Sequence, residues 1–385
     1  ALYFVIQEGA LMFRLSNLIA SVVENKTERL LNGAIAIWNF TNRCNLSCMH
    51  CYSKSGLDEV DTLTTQQIKK TILQMKENGV KFIIFSGGEP LTRKDIFDIA
   101  DFCKTNGIIT YLSSNGLYFT NNNIERIVNT FNYVGVSIDG DEATHDYFRG
   151  LKGAFKESLK AILLANEKGA KVGIRFTMTQ ETIGSLAYMF ELVEQHHIPK
   201  IYISHLVYSG RGLDNLKMDL SKTQRRDAVN FILDKAFQYY QEGRDIEIVT
   251  GNMEQDAILF LQRFGEHYPD LKEPMRQRLI SWGGNSAGRK LLNINSEGDV
   301  RPDPFFPVVI GNIIEQDFSS IWNQGALLNQ LRIHPRNTLG GICADCNQIS
   351  ICNGGSRARA YAITGDLWSE DPSCYLTQEE RRNDL

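Results

Sequence analysis

Three cysteines, Cys44, Cys48 and Cys51, fall within eight residues of one another. Thiolates are soft donors that favour zinc or iron–sulfur clusters. A structural zinc ion wants four ligands, and His50 cannot readily join its chain neighbour Cys51 on one ion. Three cysteines suit instead a four-iron cluster with one iron left open to an exogenous ligand. A zinc loop completed by a distant residue is the competing reading of this spacing. A second set, Cys343, Cys346, Cys352 and Cys374, supplies four thiols, enough for a closed cluster or for zinc, and its spacing does not choose between them. Cys103 shares a helical stripe with Ile96, Ile99 and Ala100 and reads as a small buried hydrophobe.

The elements that must position these thiols are legible from residue 34 onward. Short β-rich runs occur at Ala34–Phe40, Phe82–Ser86, Ile108–Ser113, Tyr133–Ile138, Val172–Thr177 and Lys200–His205. Amphipathic stretches lie between them, around 65–78, 94–105, 122–130, 154–168 and 184–196. Thr64 to Gln67 has capping-box chemistry, and Gly79 stands just past the end of that stretch. Six strand–helix alternations predict an α/β fold with a parallel sheet, a partial (β/α)6 TIM-like barrel. In such folds the strand C-termini carry the chemistry. The first cysteine group follows the first strand, and Ser86-Gly87-Gly88-Glu89-Pro90 ends the second. Ser113 to Gly116 ends the third, Ser137 to Gly140 ends the fourth, Arg175 lies in the fifth, and His205 to Gly212 follows the sixth.

The chain has 385 residues, 43% hydrophobic and 22% charged, which is ordinary globular usage with room for more than one domain. We expect an N-terminal extension with a helix over 1–33, a barrel over 34–215, a helical bridge over 216–280 and a loop-rich cluster domain over 281–385. In the extension, Asn17–Leu31 reads as one helix capped by Ser16. In the bridge, Ser221 caps a helix running to about Tyr240, and Asn252 starts another running to about Phe264. A net charge of −4 gives no general attraction to nucleic acid or anionic lipid, so neither is expected as a partner. No apolar run approaches the roughly 20 residues that span a bilayer. Ala1 to Phe13 lacks the features of a signal peptide, Ala1–Leu11 carries no structural weight, and Met12 reads as an internal or original start. A cytoplasmic location is expected. Clustered cysteines there point to metal rather than to a disulfide framework.

Cys44-x3-Cys48-x2-Cys51 after a first strand, with Gly-Gly-Glu-Pro after the second, resembles the radical S-adenosylmethionine superfamily across residues 34–212. The resemblance implies that Cys44, Cys48 and Cys51 hold a 4Fe-4S cluster whose open iron is chelated by the methionyl group of S-adenosyl-L-methionine. It places His50 near the adenine, Gly87 and Gly88 where backbone approaches the methionyl group, and Glu89 on its ammonium. Ser113, Asn115, Ser137 and Asp139 become ribose or methionyl contacts, and Arg175 meets the carboxylate. Taken singly, each of these polar residues is more often a turn or cap group. Reductive cleavage of the sulfonium to a 5′-deoxyadenosyl radical is the implied activity. An external electron donor such as flavodoxin or ferredoxin is implied with it.

The distal cysteines resemble the C-terminal extension called SPASM, which often holds two auxiliary clusters. Here the family's run becomes Cys343, Cys346, Cys352 and then Ser356. Upstream, where further cysteines are expected, stand Trp282-Gly283-Gly284-Asn285 and Pro302-Asp303. One auxiliary 4Fe-4S cluster is therefore expected, making two clusters in all. The tail from Asn353 to Ala362, with Thr364 to Asp366 and Glu370 to Cys374, resembles the radical enzymes of modified-haem synthesis. That resemblance implies a tetrapyrrole substrate, 12,18-didecarboxysiroheme, with loss of a propionate or acetate side chain or its carboxyl on a route to haem d1 or by the alternative route to haem b. Arg357 and Arg359 would pair with its carboxylates. Tyr208, Arg211, His205, Phe305 and Phe306 are further candidates for the ring pocket. The alternatives are a SPASM peptide-modifying maturase, disfavoured because only 33 residues precede the first strand, and a non-catalytic iron–sulfur or zinc scaffold.

Overall fold

The six β-rich runs form one parallel array in a computed structural model, which describes residues 7–8, 13–26, 30–31, 33–333 and 338–383. The strands are β1 (Ala34–Asn39), β2 (Val80–Ser86), β3 (Ile109–Ser114), β4 (Tyr133–Ser137), β5 (Val172–Met178) and β6 (Lys200–His205), hydrogen-bonded in chain order. Between them run the helices Thr65–Glu77, Ile96–Thr105, Ile124–Thr130, Glu142–Arg149, Ala154–Glu167 and Leu186–Gln195. The capping box at Thr64 is formed, its hydroxyl accepting from the Gln67 amide.

Strand alternation separates two layers. Ala36, Trp38, Phe40, Ile83 and Phe85 face the helices, with Phe40 stacked between Trp38 at 4.8 Å and Phe85 at 4.4 Å. Ile35, Phe82, Ile84 and Tyr111 fill the inside of the curved sheet, with Ile37, Ile109, Tyr133 and Leu291 packed on them. This apolar plug closes the lower interior, so polar residues at the strand C-termini look into the space above it.

The sheet extends beyond six strands. A seventh, β7 (Glu247–Gly251), pairs parallel to β6 within the stretch read from sequence as helical. Its polar-flanked run Glu247-Ile248-Val249-Thr250 is short, but both faces are covered, so five residues suffice. At the other edge β8 (Leu291–Ile294) pairs parallel to β1, followed antiparallel by β9 (Asp299–Arg301) and β10 (Gly311–Asn312). Phe13–Arg14 pairs antiparallel to β7.

The helix beyond Ser221 spans Lys222–Gln241 with a full capping box. Asn252 does not start the next helix; it sits at φ +65°, and the helix opens at Asp256. The N-terminal helix is Leu15–Val23, shorter than expected. Ser16 does not cap it: its hydroxyl donates to Ile246 O at 3.1 Å and accepts from Ile248 N at 3.1 Å, tying the helix to β7. Leu30–Leu31 pairs with Gln7–Glu8, while residues 27–29 of the expected helix and most of Ala1–Leu11 lie outside the described residues. Cys103 is fully buried in the helix layer, as its stripe predicted.

Candidate active site

The cysteine-bearing loop leaves β1 by continuing its pairing with the end of β2. Phe40 N donates to Ser86 O at 3.0 Å, Gly88 N to Thr41 O at 2.8 Å and Glu89 N to Arg43 O at 2.8 Å. A Cβ on Gly87, at φ +148°, would collide with Thr41 O, and one on Gly88 with Arg43 O. These glycines are therefore required by the chain's own packing: they let the second loop lie against the first. Two further elements grip the loop. Ser47 N and Met49 N donate to Arg149 O and Phe148 O at the end of the helix Glu142–Arg149, at 3.3 and 3.0 Å. From the loop after β6, Arg211 donates from its amide to Cys51 O at 2.8 Å and from its guanidinium to Cys48 O at 2.7 Å and Ser55 O at 3.2 Å. Arg211, a candidate for a substrate pocket, is thus chiefly a clamp on the cysteine loop, although it also borders the cavity.

Held in this way, Cys44, Cys48 and Cys51 line one cavity above the apolar plug, together with His50, Gly87, Gly88, Ser113, Asn115, Ser137 and Arg175. Five strands thus bring ten sequence positions to one space. Burial pushes the Cys44 thiol up to about 12 and raises Cys48, whereas Cys51 is lowered: burial opposes the shift, but hydrogen bonds from Ser53 and Ser55 outweigh it. Buried thiols of this kind become thiolates when a metal replaces their protons.

Among the described residues, no group of three or more His, Cys, Asp or Glu side chains closes around a single-ion site. Tetrahedral zinc, with sulfur about 2.3 Å from the ion, demands tighter convergence than these thiols show. The three thiols facing one cavity fit a cluster with an open iron. The His50 ring is stacked on Phe148 at 4.5 Å and 7°, and its buried Nδ1 has no partner among the described residues. Burial, reinforced by Arg149, lowers His50 to about 4, so it is a neutral ring with an unused polar atom beside the cysteines.

The Arg175 side chain makes no ion pair or hydrogen bond among the described residues. It lies over the Tyr202 ring at 4.7 Å, in space left by Gly135, whose Cβ would meet its Cδ at 2.8 Å. Its guanidinium is available to an anion in the cavity. Glu89 and Asp139 are placed differently from the expectation. Both are fully buried and neither borders the cavity. Glu89 accepts from Ser114 Oγ at 3.0 Å, Asn115 N at 2.8 Å and Leu91 N at 3.1 Å, while burial raises it to about 7. It ties the second loop to the third. Asp139 accepts from Arg149 Nε at 2.6 Å and Thr177 N at 2.8 Å. Burial opposes its ionisation, but Arg149 holds it below the ordinary carboxylate value.

Arg149 is the residue sequence reasoning missed. It borders the cavity, neutralises Asp139 and donates from Nη1 to Cys48 Sγ at 3.6 Å. The signal was Asp139 itself, a carboxylate at a strand end that needs a cation once buried.

The second thiol set gathers in the C-terminal region. Cys343 ends the turn Gly341–Cys343, Cys352 ends the helix Ile349–Cys352, and Cys374 N donates to Asp371 O at 3.0 Å. Cys352, pushed well up by burial, also feels the charges of Cys374, Cys346 and Cys343, so the four share one neighbourhood. Ser356 does not join them; it caps the helix Arg357–Thr364 and borders the large cavity.

Arg357 and Arg359 correct the sequence expectation. Neither borders the cavity, and both are buried. Arg357 donates to the Leu367, Ser369 and Gly354 carbonyls. Arg359 forms a two-pronged pair with Asp371 at 2.9 and 2.9 Å and reaches Leu206 O at 3.2 Å and Asn252 O at 2.8 Å. A guanidinium so committed has no fork left for a substrate carboxylate. Tyr208 is likewise absent from the cavity wall, bonded to Asp219 and Ser373, and Phe306 is core. Phe305 and His205 do border the cavity, His205 pairing with Asp256 at 3.0 Å.

A curved parallel sheet with an open-cluster thiol trio at the top of its first strand defines a radical-type iron–sulfur enzyme. Comparison with known proteins makes this specific. Residues 38–193 match the Radical SAM superfamily, and residues 286–347 match SPASM, an iron–sulfur cluster-binding domain. The chain is 37% identical to pre-heme d1 synthase of Dinoroseobacter shibae, over 96% of this chain and 93% of that one. It is 34% identical to Fe-coproporphyrin III synthase of Methanosarcina barkeri, over 90% and 88%. Streptococcus suis SuiB bound to S-adenosylmethionine shares the fold, with TM-score 0.70, 18% identity, and coverage of 90% of this chain and 78% of that one. The chain belongs to the radical SAM superfamily and carries a SPASM domain. It is accordingly an enzyme of reductive S-adenosylmethionine cleavage that uses 4Fe-4S clusters. Among the described residues no helix is long and apolar enough to cross a membrane.

Proposed function

We propose that the enzyme abstracts hydrogen from a propionate or acetate side chain of an iron tetrapyrrole, 12,18-didecarboxysiroheme, with loss of that group or its carboxyl. The observation that carries this reading is the likeness, over nine-tenths of the chain, to two relatives named for tetrapyrrole synthesis. In this reading Cys44, Cys48 and Cys51 hold the cluster that binds S-adenosylmethionine, and Cys343, Cys346, Cys352 and Cys374 hold one auxiliary cluster. His50, Ser113, Ser137, Asn115 and Arg175 contact the cofactor, whereas Glu89, Asp139 and Arg149 keep its walls in place. The apolar plug below and the loops above exclude water from the reacting centre. Electrons come from a flavodoxin or ferredoxin in the cytoplasm. The chain divides at 33, 215 and 280.

Anaerobic reconstitution followed by reductant, S-adenosylmethionine and either 12,18-didecarboxysiroheme or a candidate peptide tests the reading by product mass. Loss of side-chain mass from the tetrapyrrole, with 5′-deoxyadenosine formed, is expected. Turnover of the peptide alone would overturn the substrate. About four irons per chain rather than about eight would overturn the two-cluster assignment.

A further inference from the structure

The cavity wall carried by the loops of β7, β8 and β9 has a distinctive charge pattern. It is built by Asn252 and Glu254 after β7, Asn285 and Ser286 before β8, and Asp303 and Phe305 after β9. Of the cations that border the cavity, Arg149 and Arg211 are bonded to the cysteine loop, whereas Arg175 rises from β5 over the Tyr202 ring. Arg357 and Arg359 lie behind this wall, tied to carbonyls and to Asp371. Two carboxyl groups, Glu254 and Asp303, therefore stand on this stretch of wall, and Arg175 is the cation that enters the same cavity from β5. If both were ionised, a carboxylate-rich ligand would be repelled.

Glu254 resolves this by its hydrogen bonding. Its Oε1 accepts from Asn285 Nδ2 at 2.9 Å, while its Oε2 is buried with no partner among the described residues. A buried anionic oxygen with no donor is costly, and the cost falls when that oxygen carries a proton. The protonated group is then a donor in want of an acceptor, on a residue that borders the cavity.

The surroundings agree. From β6 the Tyr202 hydroxyl packs over Gly251, where a Cβ would collide with it. Asn285 comes from the loop before β8. Arg357, Arg359 and Asp371 come from the C-terminal region, with Arg359 and Asp371 cancelling each other. Burial outweighs the pull of Arg359 and raises Glu254 to about 7; on the same wall burial raises Asp303 to about 6.

We propose that Glu254 recognises a substrate carboxylate by donating a carboxyl O–H to it across the cavity, which makes it a specificity determinant for an acidic side chain. This rests on the tetrapyrrole reading and names the group that reads the substrate's acidity. Substrate binding should be tight below pH 7 and weaken about tenfold per pH unit above it, since the donor is lost on ionisation.

The test is a titration of the reconstituted holoenzyme with the iron tetrapyrrole, followed by its visible absorbance from pH 6 to 9. Glu254→Gln keeps an N–H donor at every pH and is expected to flatten the profile, whereas Asp303→Asn is expected to leave the midpoint in place. A methyl-esterified tetrapyrrole, whose carbonyls are uncharged and poorer acceptors, should bind the unaltered enzyme with a weaker dependence on pH, a check that needs no variant to fold. A flat profile for the unaltered enzyme, or an unchanged one in Glu254→Gln or with the ester, would overturn the proposal while leaving the tetrapyrrole reading intact. No binding of the tetrapyrrole at any pH would instead remove that reading and this inference together.

Discussion

Arg149 and Arg359 do the same physical work at the two thiol sites. Each is a buried guanidinium that neutralises a buried aspartate, Asp139 or Asp371; Arg149 itself reaches Cys48 Sγ, and Asp371 O accepts from Cys374 N. Removing one partner of such a pair leaves an uncompensated charge in the interior. Arg359→Leu is expected to cost about 3–5 kcal/mol, read as a lowered denaturation midpoint, and to loosen the Cys374 segment that Asp371 organises. The pair also predicts acid sensitivity. Burial alone would raise Asp371, but Arg359 holds it at about 2. Its folded value lies below its unfolded one, so the stability it contributes is present above about pH 4 and is lost as the pH falls towards 2. About 2 kcal/mol should disappear across that window in unfolding curves, and Asp371→Asn should remove the dependence. The sequence made Arg357 and Arg359 legible as arginines near a cluster, but not their destinations. Asp371, 12 positions beyond Arg359, becomes its partner only through the turn that follows the helix Arg357–Thr364.

At the scale of elements, the strand–loop logic was legible because it is local. The periodicity of each run, the Thr64 capping box and the motifs at strand ends all survive in the structure with boundaries moved by a residue or two. What was not legible is close approach between loops distant in sequence. Gly284, at φ +61°, lies so near Cys352 that a Cβ would meet that residue's backbone carbon and oxygen at 2.5 Å. A segment in which the wider family places cysteines has here become a backbone contact on one cysteine of the other thiol set. Gly284→Ala is therefore expected to displace Cys352 and lower iron from about eight towards about four per chain. Formation of 5′-deoxyadenosine at the Cys44 loop should survive. Parallel iron and sulfide analysis with a cleavage assay checks both halves; loss of cleavage with iron retained would contradict it.

At the scale of the whole molecule, the sheet does not respect the division that composition suggests. β8, from the cysteine-rich C-terminal region, pairs along β1 from Leu291↔Ile35 to Ile294↔Trp38. Asn293 strengthens the seam by donating to Ile37 O at 2.8 Å. Without β8, the backbone groups on that edge of β1 would be unpaired next to the strand that launches the cysteine loop, and Leu291 would leave the interior plug. An exposed edge of this kind invites pairing with other chains. A fragment ending at Trp282 is therefore expected to associate and to lack a cooperative thermal transition, whereas the full chain unfolds cooperatively. Size-exclusion chromatography and circular dichroism compare the two directly. A monomeric fragment with a sharp transition would show that the barrel folds alone, and that β8 is an addition to it rather than part of the frame that holds the cysteine loop.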